Sequence, residues 1–537
     1  MAAIRSKVIV ESDDFRANRA DHLRLIAEFR TLEAKVREVS GRADSKFRAR
    51  RQLPPRERVN LLLDRDSPFL ELSSLAGLGM HEDDGAENVF GGGSIVGIGM
   101  VCGARCMIAA NDSGIKGGAA HPMGVEKALR AQEIALMNKL PYVQLVESAG
   151  ANLFLQAEMF VRGGATFANM ARLSAAGIPV VSIVHGSSTA GGAYQTGLAD
   201  YVVMVRGRSK VFLAGPPLLK AATGEIADDE SLGGAELHCV TTGLGEYLAE
   251  DDSDALRIGR ELLARIGWAV DRSARPPAPA PLYDPEELLG VVPVDYRKPH
   301  DVREVVARIV DGSEFLDFKG PYGAATVCGQ AAIEGRPVGL IGNNGPIDSA
   351  GASKAGQFIQ LCCQSGLPIV FLQNTTGYIV GVEAEASGIV KHGSKMIQAV
   401  TNATAPKLTL QIGGSFGAGH YGMCGRSFGP RFLFSWPNAR VAVMGGEQAA
   451  RVMAIVAEEG VRARGLSFDE AKTKAQGARI VAAYDRESTA LFATARLWDD
   501  GLIDPRDSRA TLAFCLNTCA EAEARTLRPN TFGVARF

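Results

Sequence analysis

The stretch from Val180 to Tyr194, Val-Val-Ser-Ile-Val-His-Gly-Ser-Ser-Thr-Ala-Gly-Gly-Ala-Tyr, decides the fold. An apolar, β-branched run breaks into small residues and resumes as a helical pattern, which predicts a buried strand, a tight turn and a helix N-terminus. Such a turn points backbone N–H groups outward, where they suit an oxygen that carries or acquires negative charge. One glycine-rich turn is weak evidence, because many such turns only let a helix pack closely on a strand.

The same pattern occurs a second time, from Lys407 to Gly422. The flanking segments repeat in the same order, since residues 139–147 are matched by 366–374 and residues 58–72 by 303–318. Matching segments in the same order predict a duplicated domain rather than a chance similarity.

A proline-rich segment separates the two copies. Residues 272–281 read Arg-Ser-Ala-Arg-Pro-Pro-Ala-Pro-Ala-Pro, which is typical of an extended, semi-rigid linker. It lies where the duplication requires a boundary. We therefore predict an α/β protein with an N-terminal domain over residues 1–272, a linker over 273–283 and a C-terminal domain over 284–537.

The composition is that of an ordinary globular protein, with 46% apolar and 22% charged residues among 537. Lys and Arg number 58 against 60 Asp and Glu, so the net charge favours neither nucleic acid nor an anionic membrane as a partner. No apolar run is long enough to span a bilayer and residues 1–15 lack a signal-peptide core, so we expect a cytoplasmic protein. The nine cysteines form no Cys-x-x-Cys pair, which predicts reduced thiols and no metal site.

Two stretches could contact the phosphates of a ligand. Residues 42–58 are rich in Arg and Lys. A charge run of this kind is usually a solvated face, and bidentate contacts from Arg to phosphate are the alternative. Lys116 beside Gly117 could hold an anion, although plain solvent exposure explains this lysine equally well.

The first turn carries no Gly-x-Ser-x-Gly nucleophile motif. The sequence has no Walker A motif, and the Gly-x-Gly-x-x-Gly spacing at residues 417–422 is not followed by an acidic residue about 20 positions on, as a dinucleotide site requires. His420 is the titratable side chain within the turns, and a histidine there is expected to line or orient rather than act as a base. A hydratase or isomerase would need a placed carboxylate, for which Glu147 and Glu225 are the candidates, although we favour structural roles for both.

The motifs along the chain resemble those of the carboxyltransferase β-subunit of biotin-dependent acyl-CoA carboxylases, most closely the methylcrotonyl-CoA and geranyl-CoA branch. The resemblance covers nearly every segment named above. It rests on Ser188–Tyr194, Phe212–Leu218, Ala221–Glu225, Leu232–His238, Gln373–Tyr378, Gly422–Arg426 and Val443–Gln448.

The resemblance implies two tandem crotonase-like domains built of repeated ββα units. Carried over by position, Gly191 and Gly192 would donate to the thioester oxygen of an acyl-CoA as it becomes an enolate. Ala418 and Gly419 would donate to the ureido oxygen of carboxybiotin. Because the biotin nitrogen can take the substrate proton, no side-chain base is required.

Two departures from plain methylcrotonyl-CoA members bear on the substrate. Gly163 stands where those members place an aromatic residue that bounds the acyl pocket, and His420 stands where they carry asparagine. Both departures favour a longer acyl chain, such as that of geranyl-CoA or of a medium- or long-chain acyl-CoA. Together with the possible anion site at Lys116 and Gly117, the predicted substrate-binding residues are Gly163, Gly164, Phe167, Ala190, His420 and Tyr421.

The resemblance also implies partners. No biotin-attachment Met-Lys-Met sequence and no ATP-grasp signature are visible, so biotin and the ATP-dependent step should reside on a biotin carboxylase/biotin carboxyl carrier α-subunit. The family pattern implies a dimer with active sites at the subunit interface, assembled into a ring-like hexamer. The alternatives are a propionyl- or acetyl-CoA-type carboxyltransferase, a biotin-dependent decarboxylase subunit, a crotonase-type hydratase or isomerase, and an inactive scaffold.

Overall fold

The computed structural model describes residues 3–270, 277–465 and 469–535, and within them the chain forms two compact units. The N-terminal unit comprises 30–270, 495–497 and 518–535. The C-terminal unit comprises 3–29, the described residues of 277–494, and 498–517. The partition differs from the predicted ranges at both chain ends. The predicted boundary between residues 272 and 273 and the linker residues 273–276 lie outside the described part of the chain.

The first residues join the C-terminal unit because their side chains bond to it. Asn18 donates from Nδ2 to the carbonyl oxygen of Gly290 (3.1 Å), and His22 donates from Nε2 to that of Val292 (3.0 Å). Hydrogen bonds to buried carbonyl groups fix a segment regardless of its place in the chain order. The position of residues 3–29 at the start of the chain therefore did not indicate that they belong to the C-terminal unit.

Helices connect and cover the strands. The helices of the described residues are α1 (Asp13–Gly41), α2 (Asp44–Ala49), α3 (Pro55–Leu62), α4 (Pro122–Met137), α5 (Gln156–Ala175), α6 (Gly192–Gly197), α7 (Pro216–Thr223), α8 (Asp229–Gly233), α9 (Asp252–Arg265), α10 (Leu288–Val291), α11 (Val302–Ile309), α12 (Ser349–Ser365), α13 (Val382–Ala386), α14 (Ile389–Thr401), α15 (Gly417–Gly422), α16 (Gly446–Ala463), α17 (Glu470–Glu487), α18 (Ala490–Ala495) and α19 (Ser508–Ala524).

The N-terminal unit contains an eight-stranded mixed sheet of order β1-β2-β3-β4-β5-β6-β8, with β7 beside the end of β5. β2 is antiparallel to both β1 and β3, whereas every pair from β3–β4 onward is parallel. Parallel neighbours need long crossover connections, which helices provide. The strands are β1 (Leu70–Glu71), β2 (Ser94–Val101), β3 (Ala104–Asn111), β4 (Tyr142–Ser148), β5 (Val180–Thr189), β6 (Tyr201–Val205), β7 (Lys210–Phe212) and β8 (Tyr247–Ala249).

The C-terminal unit repeats this sheet with seven strands in the order β14-β13-β12-β11-β10-β9, with β15 beside the end of β13. The antiparallel start and parallel continuation are the same as in the N-terminal unit. The strands are β9 (Leu316–Asp317), β10 (Thr326–Ile333), β11 (Arg336–Asn343), β12 (Ile369–Thr375), β13 (Lys407–Phe416), β14 (Phe432–Ser435) and β15 (Arg440–Ala442). The predicted α/β duplication is confirmed.

The duplication extends to individual hydrogen bonds. The carboxylate of Asp64 accepts the N–H groups of Cys102 and Gly103 in the turn between β2 and β3, at 2.8 and 2.9 Å. Asp311 accepts the N–H groups of Glu334 and Gly335 in the turn between β10 and β11, at 2.8 and 2.7 Å. A carboxylate that satisfies two turn donors fixes the hairpin in each copy.

Each sheet has its own buried core. In the N-terminal unit Ile183 and Val203 are fully buried, and in the C-terminal unit Ile341 and Phe371 are. These residues lie on parallel strands, whose two faces are both covered, so the strands read as continuous apolar runs. Among the described residues no helix combines the length and apolar character that crossing a bilayer demands.

Candidate active site

Two turns, one in each unit, occupy the same place at the ends of β5 and β13. Both strands have ten residues, and each pairs with its neighbour in the same register, since Tyr142 faces Val180 and Ile369 faces Lys407. By this register Ala190, Gly191 and Gly192 correspond to Gly417, Ala418 and Gly419, respectively. We call residues 190–192 the first donor turn and residues 417–419 the second donor turn.

Backbone N–H groups of both donor turns are candidates to bind a ligand oxygen, although in the first turn the N–H of Ala190 already donates to the carbonyl oxygen of Phe212 (3.1 Å). The N–H of Gly191 has no acceptor among the described residues. Gly192 opens α6, and Gly417, Ala418 and Gly419 open α15, so these N–H groups have no acceptor within their helices. Adjacent donors of this kind stabilise an oxygen on which negative charge develops.

Side chains behind the first donor turn hold it in place. Ser188 donates from Oγ to the carbonyl oxygen of Gly192 (2.7 Å), and Thr189 donates from Oγ1 to that of Ser148 (3.3 Å). A Cβ on Gly192 would lie 3.6 Å from Ser148 Cβ and Ser188 Oγ, which is ordinary contact. From the sequence, any side chain on Gly192 would be expected to block the substrate oxygen, whereas the structure places a methyl group here against these serines.

The predicted acyl-pocket residues lie on α5. A Cβ on Gly163 or Gly164 would meet no atom within 4 Å, so the space beside this helix is open. Phe167, further along α5, reaches the first donor turn, because its Cζ would lie 3.5 Å from a Cβ on Gly191. The helix therefore connects an open surface to the donors that face the thioester oxygen in the predicted arrangement.

A tyrosine just after the first donor turn was not among the substrate-binding residues predicted from the sequence. Tyr194 follows the turn and its ring centroid lies 5.9 Å from that of Phe167. It occupies the position that corresponds to Tyr421 in the second copy, and both rings are 47% exposed. Aligning the two copies residue by residue would have found it, because only Tyr421 was predicted to contact substrate.

His420 is partly buried and is neutral at physiological pH. Ser415 donates from Oγ to Gln373 Oε1 (2.7 Å) and therefore accepts the Nδ1–H of His420 (2.8 Å). Burial lowers the pKa of His420 to about 4. These bonds fit the predicted orienting role and do not suit a base that must approach substrate.

The second donor turn packs more tightly than the first. A Cβ on Gly419 would lie 2.7 Å from Gly377 Cα, a backbone atom. Tyr421 packs on Phe428, with ring centroids 5.3 Å apart. Only glycine at position 419 allows this close approach of the two main chains.

Lys116 already has a partner. Its Nζ lies 3.4 Å from a carboxylate oxygen of Glu82 and 5.7 Å from the ring centroid of Phe90. Half of the Lys116 side chain is exposed, so an anion could compete for it. Gly117 ties this loop to the end of β4 by accepting the N–H of Ala149 (3.2 Å).

The basic segment divides into paired and unpaired cations. Arg56 makes a bidentate pair with Glu71, with both distances at 2.8 Å, and Arg58 is buried against Glu147. Among the described residues, those of the segment without an ion pair are Lys46, Arg50 and Arg51. Arg56 and Arg58 therefore stabilise the fold, whereas Lys46, Arg50 and Arg51 could bind phosphate without displacing a carboxylate.

Glu147 is engaged by neighbouring side chains. Its Oε2 accepts Arg58 Nη1–H (2.6 Å) and the hydroxyl of Ser113 (2.7 Å). Glu225 is exposed on the surface. Because two side chains hold the Glu147 carboxylate in place, the structure favours the structural role that we expected for it. No cluster of three His, Cys, Asp or Glu residues suited to a metal ion occurs within the described ranges.

The chain is similar to known proteins along nearly its whole length. The sequence profile described as "Carboxyl transferase domain" matches residues 47–534. The probable biotin-dependent acyl-coenzyme A carboxylase beta2 subunit of Mycobacterium tuberculosis is 52% identical over 490 residues, 91% of each chain. The probable mitochondrial methylcrotonoyl-CoA carboxylase beta chain of Drosophila melanogaster is 46% identical over 99% of this chain and 95% of its own. The crystal structure of the P. aeruginosa geranyl-CoA carboxylase beta subunit is 56% identical, with a TM-score of 0.93 over 100% of both chains.

Proposed function

The chain belongs to the carboxyl transferase domain family, and from this membership we propose that it moves a carboxyl group from carboxybiotin to the enolate or dienolate of an acyl-CoA. The observation that carries the proposal is the pair of equivalent donor turns, in which the N–H groups of Gly191, Gly192, Ala418 and Gly419 have no acceptor within a helix. A transfer between two reactants that each place negative charge on an oxygen needs two such sites. A hydratase or hydrolase needs one.

The residues of the second donor turn fit a ureido group. The turn offers N–H donors of Ala418 and Gly419 at a helix start, together with a neutral histidine. A ureido oxygen is an acceptor that gains negative charge without becoming a full anion, so backbone donors suit it better than a cationic side chain. When bound, carboxybiotin supplies the carbon dioxide and a basic nitrogen that takes the substrate proton.

The chain's own contribution is binding and charge stabilisation. In this proposal Gly191 and Gly192 donate to the thioester oxygen as the α or γ carbon loses its proton, and Ala418 and Gly419 hold the ureido oxygen. Donors fixed before the reaction stabilise the developing charge without reorganisation of solvent. Because both reactants are bound in place, the reaction also avoids the entropy cost of bringing two molecules together.

We propose that the acyl chain is longer than methylcrotonyl and branched, as in geranyl-CoA. The open space at Gly163 and Gly164 on α5 supports this choice, since a Cβ added at either position would have no protein atom within 4 Å. The relative whose structure was determined as a geranyl-CoA carboxylase beta subunit, 56% identical, supports it as well. An aromatic ring at position 163 would fill this space.

We further propose that the chain works with a biotin-carrying α-subunit in the cytoplasm, and that it forms dimers within a ring-like hexamer. In that arrangement the first donor turn of one protomer faces the second donor turn of its partner. Large apolar side chains on the surface of the isolated chain, such as Phe154 (95% exposed) and Val382 (89% exposed), support burial against another copy.

The test is to purify the chain with the biotinylated chain that accompanies it and to measure fixation of labelled bicarbonate with ATP. The acyl-CoA series should run from acetyl-CoA and propionyl-CoA through methylcrotonyl-CoA to geranyl-CoA. We expect the highest kcat/KM with geranyl-CoA. Acyl-CoA turnover that needs neither bicarbonate nor biotin would overturn the proposal, and a maximum at propionyl-CoA would overturn its substrate.

A further inference from the structure

Each strand that leads into a donor turn carries a bulge at the same position. On β4 and β5 the register runs from Val146–Val184 to Ser148–Ser188, so one residue of β4 faces three of β5. On β12 and β13 it runs from Gln373–Gln411 to Thr375–Ser415, again one residue against three. Bulges next to functional sites redirect the strand and the residues that follow it.

The residue opposite each bulge fills it with a side chain. Glu147 lies opposite the first bulge, and its Oε1 would be 2.6 Å from a Cβ on Gly186. Asn374 lies opposite the second bulge, where its Oδ1 packs on Gly413 and accepts the N–H of Gly414 (3.1 Å). Different side chains thus occupy the same place in the two copies.

The first carbonyl group of each bulge accepts a hydrogen bond from a side-chain amide. Gln52, before α3, donates from Nε2 to the carbonyl oxygen of His185 (3.2 Å). Asn438, between β14 and β15, donates from Nδ2 to that of Ile412 (3.0 Å). His185 and Ile412 are equivalent positions, five residues before Ala190 and Gly417, the starts of the donor turns.

These two amides come from unrelated places in the chain and serve little else. Gln52 and Asn438 are buried, with 7% and 3% of their surfaces exposed. The amide oxygen of each has no partner among the described residues. An apolar side chain of the same size would fill the same space and would leave no buried amide oxygen without a hydrogen bond. Packing alone therefore does not explain why both positions carry an amide.

We propose that Gln52 and Asn438 are positioning residues that fix the two bulges and thereby aim the first and second donor turns. The inference rests on the proposed function, in which the first turn binds the acyl-CoA oxygen and the second the ureido oxygen. When the hydrogen bond from the side-chain amide is lost, the carbonyl group in the bulge rotates toward another donor. The part of the strand that follows the bulge then shifts. A displacement of several tenths of an ångström weakens the donors most in the transition state.

The test uses the complex of the chain with its biotinylated partner and two matched variants, Gln52→Met and Asn438→Leu, which keep side-chain size and remove the donor. Two rates are measured. The first is geranyl-CoA-dependent carboxylation, and the second is ATP turnover without acyl-CoA, which reports loss of the carboxyl group from biotin. We expect Gln52→Met to lower kcat of the first rate roughly tenfold with KM nearly unchanged. The second rate should stay at the wild-type value.

Asn438→Leu should lower both rates, because both reactions release the carboxyl group from biotin at the second donor turn.

Asn138→Leu is the control, since Asn138 is equally buried and donates to the carbonyl oxygen of Ile134 (3.0 Å) at the end of α4. It should lower the melting temperature and neither rate. Wild-type kcat in both amide variants, or losses that only follow melting temperature, would overturn the inference. An inactive wild-type complex would instead overturn the proposed function.

Discussion

Ala190 and Gly417 occupy the same position in the two donor turns and share a left-handed backbone, with φ angles of 53° and 54°. Glycine adopts this conformation freely, whereas a Cβ brings strain of roughly 1 kcal/mol. The N-terminal copy therefore keeps a strained alanine where the C-terminal copy uses glycine. The shared angle shows that the shape of the turn, and not the residue type, is common to both copies.

Exchanging these residues should give unequal effects on the free energy of unfolding. Gly417→Ala should lower it by roughly 1 kcal/mol or more, because the new Cβ is strained and would lie 3.1 Å from the Val443 carbonyl oxygen. Ala190→Gly should change it less, since relief of strain is offset by the freedom of glycine in the unfolded chain. Denaturant titration of both variants measures this, and equal losses would contradict the shared geometry.

The two glycines that close the donor turns should differ in their tolerance of alanine. Gly419→Ala should lower kcat on the order of a hundredfold, because its Cβ would lie 2.7 Å from Gly377 Cα and must displace the turn. Gly192→Ala should stay within tenfold of wild type, because its Cβ meets Ser148 and Ser188 at ordinary distances. Steady-state carboxylation rates of the two variants test this order, and a reversed order would refute it.

An aromatic residue at position 163 should shorten the acyl chain that is accepted. Gly163→Phe places a ring in the open space beside α5, and no protein atom within 4 Å of the new Cβ opposes it. We expect kcat/KM for geranyl-CoA to fall at least tenfold while that for methylcrotonyl-CoA stays the same or rises, as one misfit group in a pocket changes selectivity by about 10–200-fold. Gly164→Ala is the matched control on the same helix. A uniform loss for both substrates would contradict the assignment.

His420 should make the chain less stable in mild acid. Its folded pKa of about 4 lies below the ordinary histidine value of 6.5, so between these pH values the unfolded chain binds a proton that the folded chain does not. Stability contributed by the neutral ring is therefore lost as pH falls from 6.5 toward 4. His420→Asn removes this titrating group, so the free energy of unfolding should depend less steeply on pH, by up to about 1.4 kcal/mol per pH unit. Denaturation of both proteins at pH 7, 6 and 5 measures the difference, and parallel slopes would disprove it.

Glu147 should behave as a structural residue rather than as a general base. Glu147→Ala leaves the buried Arg58 guanidinium without its closest carboxylate and should lower the free energy of unfolding by about 3–5 kcal/mol. Glu147→Gln keeps an acceptor for Arg58 and Ser113 and should remain within tenfold of the wild-type rate, whereas loss of a general base costs about 10²–10⁴. Activity and melting temperature are measured together. A folded Glu147→Gln protein without activity would support a hydratase or isomerase.

The sequence by itself determined the family, the duplicated α/β fold and both donor turns. These features are encoded locally, in apolar runs that end in small residues and in motifs of several consecutive residues, so they could be recognised before any contact was known. The family and fold predicted in this way are confirmed. The assignment of individual donors and pocket residues to substrate stays a prediction.

Only the tertiary structure decided what surrounds those turns. It revealed that residues 3–29 join the C-terminal unit, and that Gln52 and Asn438 donate hydrogen bonds to the two bulges. These relationships depend on contacts between residues far apart in the chain or on a bulge that shifts the register. Neither leaves a periodic trace in the sequence, because a single amide at one position looks the same whether it holds a strand or faces water.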